Sequence, residues 1–106
     1  MNLPLLVLTT LPADADCQAF AEALVGERLA ACVNALAPMD SVYSWKGKIE
    51  RECERQIVIK TSDGRLDALL ARIRELHPYE VPELLVIRAD GGGEAYVKWV
   101  EEVTGE

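Results

Sequence analysis

The chain has 106 residues, of which 50% are apolar and 27% charged, a balance typical of a folded globular protein. We therefore expect a single domain over residues 1–106 and exclude a disordered chain. Its 18 acidic residues outnumber the 11 basic ones and give a net charge of −7, which disfavours binding to nucleic acids and to anionic membrane surfaces.

Residues 1–8 are apolar, but they lack the basic region, the cleavage site and the length of a signal peptide or membrane span. We interpret them as part of a strand. The three cysteines, Cys17, Cys32 and Cys53, are odd in number and show no Cys-x-x-Cys spacing, so we expect reduced thiols and no disulfide framework. A cytoplasmic location fits these features best.

The first half of the chain predicts a strand, a helix and a long hairpin. Residues 3–10 form an apolar run that is typical of a strand. A helix is predicted next, because apolar side chains recur at helical spacing: Cys17, Phe20, Ala21, Leu24 and Val25. Residues 30–46 favour a long, bent strand, in which Pro38 marks a bulge or an edge position. Lys46-Gly47 predicts a tight reversal into a third strand over 49–61.

The second half repeats the pattern. Ser62 and Asp63 are candidate N-caps for a second helix, which Pro78 ends. Its apolar stripe consists of Leu66, Leu69, Leu70, Ile73 and Leu76. Residues 81–89 predict a fourth strand, and 91–93 a glycine turn. A C-terminal helix is marked by Tyr96, Trp99, Val100 and Val103.

The order β-α-β-β-α-β with a C-terminal helix predicts an α+β, ferredoxin-like fold of the split-βαβ kind. The helices of such a domain cover one face of the sheet, so a solvated second face would need polar residues at alternate positions. Residues 3–8, 57–59 and 84–87 are apolar at consecutive positions instead. We therefore expect an oligomer that covers the open face, with hairpin edges available for pairing between subunits.

The segment from His77 to Glu83 is the strongest candidate for a binding loop. His77 is the only histidine and stands at the predicted end of the second helix, where a C-terminal capping role is the alternative. Tyr79, Glu80 and Glu83 follow within six residues, and two prolines restrict the backbone between them. Stiff loops that display polar groups suit binding sites.

A metal ion is one candidate ligand of this loop. His77 and Glu80 would be its ligands, but zinc and copper sites need three or four, so symmetry at a subunit interface would have to supply the others. Cys32 or Cys53 could add a soft ligand for copper, with packing as a small buried hydrophobic residue as the alternative for both. Cys32 could instead be a nucleophile paired with His77. No motif supports an enzyme, so we assign no catalytic residue and expect no organic cofactor.

Three further side chains complete the candidate site. Tyr43 and Trp45 share one face of the second strand, where core or interface packing is the alternative. Lys60 ends the third strand in a position to meet an anionic group, with solvent exposure as the alternative. The same strand lacks the stacking aromatic residues of an RNA-recognition module, which excludes that function.

Five ordered blocks resemble the CutA divalent-cation tolerance family and span nearly the whole chain: 27–34, 43–49, 60–61, 77–83 and 96–100. The resemblance implies a PII-like, ferredoxin-fold homotrimer with strands extending between subunits, and a link to tolerance of copper and other divalent ions. Some bacterial members carry a cysteine in the first strand and a second histidine before the His-Pro-Tyr segment as proposed copper ligands. This chain has Thr9 and Leu76 at those positions, so only His77 carries over.

The preferred hypothesis is a cytoplasmic homotrimer that binds copper or another divalent cation in clefts between subunits. The candidate cleft residues are Cys32, Tyr43, Trp45, Lys60, His77, Tyr79 and Glu83. The first alternative is a PII-like regulatory module that binds a small anionic ligand through Lys60, or a partner protein. The second is a hydrolase that uses Cys32 and His77.

Overall fold

In the computed structural model, which describes residues 3–105, five strands form one antiparallel sheet. Strand β1 (Leu5–Pro12) lies between β4 (Lys48–Thr61) and β5 (Leu85–Arg88). Strands β2 (Cys32–Ala35) and β3 (Met39–Trp45) follow each other along the other edge of β4. The predicted α+β architecture is confirmed, with the second predicted strand divided in two.

Three helices pack on one face of the sheet and enclose the core. They are α1 (Cys17–Gly26), α2 (Leu66–Leu76) and α3 (Glu94–Thr104), and a 3-10 turn (Asp63–Arg65) precedes α2. Helix α1 begins where the Asp16 carboxylate accepts a hydrogen bond of 2.9 Å from the Ala19 amide. The core joins α1 and α2 to β1 and β4 through Val7, Leu11, Cys17, Phe20, Leu24, Ile57, Ile59, Leu69 and Ile73. None of the helices within residues 3–105 is long and apolar enough to cross a membrane.

Strands β2 and β3 are separated by a β-bulge at residues 36–38. Ala35 faces Ile57 and Met39 faces Glu54, so three residues of this edge oppose two residues of β4. The Arg55 side chain donates to two carbonyls beside the bulge, that of Leu36 at 2.7 Å and that of Ala35 at 3.3 Å. The bulge predicted from Pro38 is therefore present, and it shifts β3 by one residue relative to β2.

The β3–β4 hairpin closes with a two-residue turn at Lys46 and Gly47. Both residues have positive φ, 50° and 80°, as a type I′ turn requires. Glycine adopts this conformation without steric cost, whereas Lys46 is strained by it. The turn keeps Trp45 opposite Lys48, and the whole hairpin stays in one register.

The sheet face without helices is apolar along β1 and β5. Alternation puts Leu6 and Leu8 of β1 on this open face, where they are half-buried, beside Ile87 and Leu85 of β5. Leu85 is 56% exposed and Ile87 47% exposed. The predicted uncovered apolar face is therefore confirmed for the single chain.

Two local predictions were wrong. The fourth strand covers only residues 85–88, because residues 81–84 form a loop. Ser62 makes no side-chain cap, since its hydroxyl is bonded to the Thr104 hydroxyl at 2.8 Å. The predicted C-terminal helix is present as α3, which buries Val97, Val100 and Thr104 and leaves Tyr96 and Trp99 45% and 41% exposed.

Candidate functional site

A groove of about 710 Å³ lies between the β3–β4 hairpin and the loop of residues 77–83. Even-numbered residues of β4 and odd-numbered residues of β3 share the open face, because Tyr43 faces Glu50 and Met39 faces Glu54. The lining includes the predicted site residues Tyr43, Trp45, Tyr79, Glu80 and Glu83, together with Thr10, Glu52, Glu54 and Gln56. The predicted site residues of β3 and those of the 77–83 loop thus line the same groove.

His77 lies behind the groove and is 8% exposed. Its Nδ1 accepts a hydrogen bond of 3.1 Å from the Tyr79 amide, so Nε2 carries the proton and donates to the Thr10 carbonyl at 2.6 Å. Its own amide donates to the Ile73 carbonyl and ends α2. Both ring nitrogens are therefore occupied, and the side chain fastens the loop to β1.

A second pair of contacts fixes the loop to β4. The Tyr79 hydroxyl donates to the Glu54 carboxylate at 2.7 Å. Gln56 Nε2 donates to the Glu83 carboxylate at 2.8 Å and to the Thr9 carbonyl at 2.7 Å. Burial, the hydrogen bond to Glu54 and the neighbouring negative charges raise the pKa of Tyr79 far above its usual value, so this hydroxyl remains a donor.

The outer part of the groove combines aromatic rings with carboxylates. Tyr43 and Trp45 are 40% and 38% exposed. Desolvation and then the charges of Glu52 and other β4 glutamates raise the pKa of Tyr43. The Lys46 ammonium lies over the Trp45 ring, 5.5 Å from its centroid. This part of the groove is suited to positively charged groups.

Cys32 and Lys60 belong to a different part of the sheet. They face each other across β2 and β4, and both Cys32 Sγ and Lys60 Nζ donate to the Asn34 side-chain oxygen, at 3.8 and 2.8 Å. Lys60 is four residues from Gln56 along β4, a separation of about 13 Å. Within one chain the structure therefore does not bring Cys32 and Lys60 to the groove.

The residues of a single chain fit a metal ion poorly. Among residues 3–105 no group of three or more histidine, cysteine, aspartate or glutamate side chains is close enough to hold one. His77 would have to give up a hydrogen bond to bind a metal. The carboxylate oxygens of Glu52, Glu54 and Glu80 suit hard divalent cations better than copper. Thr9 stands where the resemblance would place a copper-binding cysteine in the first strand. Its buried hydroxyl has no hydrogen-bond partner among the described residues.

Sequence reasoning missed the contribution of β4 to the groove. Glu50, Glu52, Glu54 and Gln56 occur at every second position, which places them on one face of a strand. That spacing was a usable signal, but the many charges of residues 50–55 indicated only that this half of the strand is not buried on both faces. Glu54 is in fact 5% exposed, because the loop covers it.

Comparison with known proteins gives a consistent result over nearly the whole chain. Residues 5–103 match the family described as CutA1 divalent ion tolerance protein. The divalent-cation tolerance protein CutA of Pectobacterium atrosepticum is 43% identical over 94 residues, which cover 89% of this chain and 86% of that protein.

Solved structures agree with this match. The divalent cation tolerance protein (Cut A1) from Thermus thermophilus superposes with a TM-score of 0.92 at 37% identity, covering 97% of this chain and all of that one. CutA1 from Oryza sativa gives a TM-score of 0.92 at 35% identity, with 98% and 95% covered. The similarity therefore extends across sequence and fold.

Proposed function

The chain belongs to the CutA1 divalent ion tolerance family, and from that premise we propose that it is a homotrimer that binds divalent cations in the groove between its hairpin and the 77–83 loop. The main support for cation binding is the environment of Glu54. Its carboxylate lines the groove, the residue is 5% exposed, and it has no ion-pair partner among residues 3–105. A buried carboxylate without a counter-charge is costly, so it favours the arrival of a cation.

Association of copies is supported by the apolar open face. Covering Leu6, Leu8, Leu85 and Ile87 would remove apolar surface from water, at about 25 cal/mol per Å². The proposed number of three subunits comes from the family resemblance. Light scattering tests it, with an expected mass three times that of the 11.7 kDa protomer. A Leu8→Glu variant should dissociate, and a monomeric wild-type protein would contradict the proposal.

Association also supplies what the single chain lacks as a metal site. Symmetry can bring carboxylates of a second copy to those of Glu52, Glu54 and Glu80, as hard divalent cations require six or more oxygen ligands. The predicted pair of His77 and Glu80 is the alternative ligand set, favoured by copper and zinc, and it requires His77 to release a hydrogen bond.

Calorimetric titration of metal-free protein with Mn²⁺, Zn²⁺ and Cu²⁺ tests the proposal and distinguishes the two ligand sets. If the carboxylates bind, Glu54→Gln should weaken manganese binding and His77→Asn should not. If the histidine binds, His77→Asn should abolish the copper and zinc signals. Glu22→Gln is the control, because this glutamate is exposed on α1, away from the groove, and accepts a hydrogen bond from Gln18. Absence of heat with every metal would refute the metal function.

The PII-like alternative is supported by Lys60, whose ammonium has the neutral Asn34 amide as its partner on the open face. A small anion meeting this charge would bind near subunit contacts, and Lys60→Gln should abolish any nucleotide titration signal. The hydrolase alternative would need Cys32 and His77 from different copies. Cys32 pairs with Lys60, whereas His77 bonds Thr10, which pairs with Gln56, four residues from Lys60 along β4. The family is named for tolerance and not for catalysis.

We also propose a cytoplasmic location. Cys17, Cys32 and Cys53 are all free thiols, as expected in a reducing compartment. Fractionation of cells that produce the protein tests this, and recovery with a periplasmic or secreted fraction would contradict it.

A further inference from the structure

We propose that the aromatic side of α3 binds the β3–β4 hairpin of a second copy, through the hairpin face that points away from the groove. The inference rests on the proposed function, because it requires association of copies, and it adds a contact outside the open sheet face. Two exposed patches define the contact. The hairpin patch consists of Val42, Ile49 and Arg51, and the helix patch of Tyr96, Trp99 and Glu102.

The hairpin patch lies on the helix-bearing side of the sheet, where the helices of its own chain leave it exposed. Val42 faces Arg51 and Ser44 faces Ile49, so these four side chains share the face opposite to the groove. Val42 is 63% exposed and Ile49 74% exposed. Two neighbouring β-branched apolar side chains at such exposure favour a contact with another surface.

The helix patch is a preformed aromatic surface. Tyr96 and Trp99 are one turn apart on α3, and their rings pack together with centroids 5.6 Å apart. Glu102 follows one turn later and is exposed. The helix buries a different set of side chains, so this pair forms a second face of α3. Tyrosine and tryptophan are the residues most enriched where protein surfaces bind each other.

The two patches cannot meet within one chain. Ile49 is twelve residues from Thr61 along β4, a separation of about 40 Å. The next residue, Ser62, bonds to the Thr104 hydroxyl at 2.8 Å, so the C-terminal end of α3 lies at the far end of β4. Trp99 is five residues before Thr104, only about 8 Å along the helix axis. A hairpin that covers the helix patch must therefore belong to another copy.

Charge favours this pairing of unlike patches over a contact between two identical ones. Arg51 is exposed, and neither it nor the Glu102 carboxylate has an ion-pair partner among residues 3–105. A patch that met its own counterpart would bring like charges together. The hairpin patch against the helix patch joins Arg51 to Glu102 instead, which selects the partner surface and its orientation.

A contact between two different surfaces is head-to-tail, and such contacts close into a ring when the rotation between copies permits it. In a trimer each copy would give its hairpin to one neighbour and receive the hairpin of the other. The contact can coexist with covering of the open face, because both patches lie outside that face.

Fluorescence quenching of Trp99 by acrylamide in the full-length oligomer tests the contact directly. Trp45→Phe leaves Trp99 as the only tryptophan. In this background, addition of Ile49→Glu should increase the quenching of Trp99. Ile49 is too far from Trp99 of its own chain to change its accessibility, so an increase must come from loss of a neighbour's hairpin. Val25→Ser is the control, because Val25 is an exposed apolar residue of α1 outside both patches.

A charge exchange tests the pairing of the patches by light scattering. Arg51→Glu and Glu102→Arg should each lower the association affinity by roughly tenfold, because each places like charges together. The double variant should recover the wild-type affinity. Glu22→Arg is the matched control, since Glu22 is exposed on α1 outside both patches, and it should leave association unchanged.

The outcomes distinguish this contact from the proposed trimer. A trimer in which Ile49→Glu leaves the quenching of Trp99 unchanged would overturn the hairpin contact and leave the proposed trimer intact. Failure of the double variant to recover affinity would overturn the contact as well. A wild-type protein that is monomeric would overturn both proposals.

Discussion

Thr9 allows a quantitative test of the packing beneath the site. Its side chain is fully buried on the helix-covered face of β1, and its hydroxyl has no hydrogen-bond partner among the described residues. An unpaired buried hydroxyl costs about 1 to 3 kcal/mol. Valine has nearly the same shape and favours strands. Thr9→Val should therefore raise the free energy of unfolding by about 1 to 3 kcal/mol.

Thr61→Val is the matched control. Thr61 is also fully buried in a strand, but its hydroxyl donates to the Leu29 carbonyl at 2.7 Å. Removing that donor leaves a buried carbonyl unpaired and should cost about 1 to 2 kcal/mol. The two variants should consequently differ by roughly 2 to 5 kcal/mol, although the substitution is the same.

Guanidinium unfolding measures both effects from the shift in midpoint at constant slope. The protomer concentration must be held fixed, because dissociation of an oligomer contributes to its apparent stability. The reasoning would be refuted if Thr9→Val destabilised the protein as much as Thr61→Val. In that case the Thr9 hydroxyl has a partner, supplied by bound water or by another copy.

Other predictions concern the loop and the turns. His77→Ala should lower the free energy of unfolding by about 2 to 4 kcal/mol in chelator, since two buried hydrogen bonds are lost, and an unchanged unfolding midpoint would argue against this structural role. Burial and the bond to Glu54 raise the pKa of Tyr79 above 10.0, so this contribution to stability is complete below pH 10 and is lost as the pH rises further. In a pH titration followed by tyrosinate absorbance, Tyr79→Phe should remove the phase that occurs at the highest pH. If that phase persisted in the variant, it would belong to another tyrosine. Gly47→Ala should cost about 1 kcal/mol through its positive φ alone, whereas Gly26→Ala in α1 should stabilise by up to about 1 kcal/mol, as urea unfolding can measure.

The spacing of apolar residues predicted the helices and strands well where an element buries one face along its whole length. The apolar stripe of α2 packs on the core, as do Cys17, Phe20 and Leu24 of α1, whereas Val25 at the end of the predicted α1 stripe is 43% exposed. The consecutive apolar residues of β1 correctly indicated a second, uncovered face. Helix α3 was correctly predicted from Tyr96, Trp99, Val100 and Val103. Its buried face is formed by Val97, Val100 and Thr104, so only Val100 belongs to both sets.

The site was predicted only in part, because local sequence does not show which strands a loop will cover. The rigid segment from His77 to Glu83 was recognisable from its prolines and polar residues. Its attachment to Glu54 and Gln56 depends on the register of β4 against β1, over a separation of more than twenty residues in sequence. Cys32 was grouped with the loop by its residue type and Lys60 by its position at the end of a strand. The sheet places both of them, side by side, away from the loop.

The bulge at residues 36–38 separates the pairing of β2 from the pairing of β3. Even-numbered residues of β2 and odd-numbered residues of β3 share one side of the sheet because of the single extra residue. The two-residue turn at Lys46 and Gly47 sets the pairing of β3 with β4, and so it keeps Tyr43 and Trp45 on the side of Glu52 and Glu54. Loss of one residue from the bulge would leave two residues opposite two and join β2 to β3 as one regular strand, without turning either aromatic side chain. Natural variation in length by a single residue should therefore be tolerated at this point.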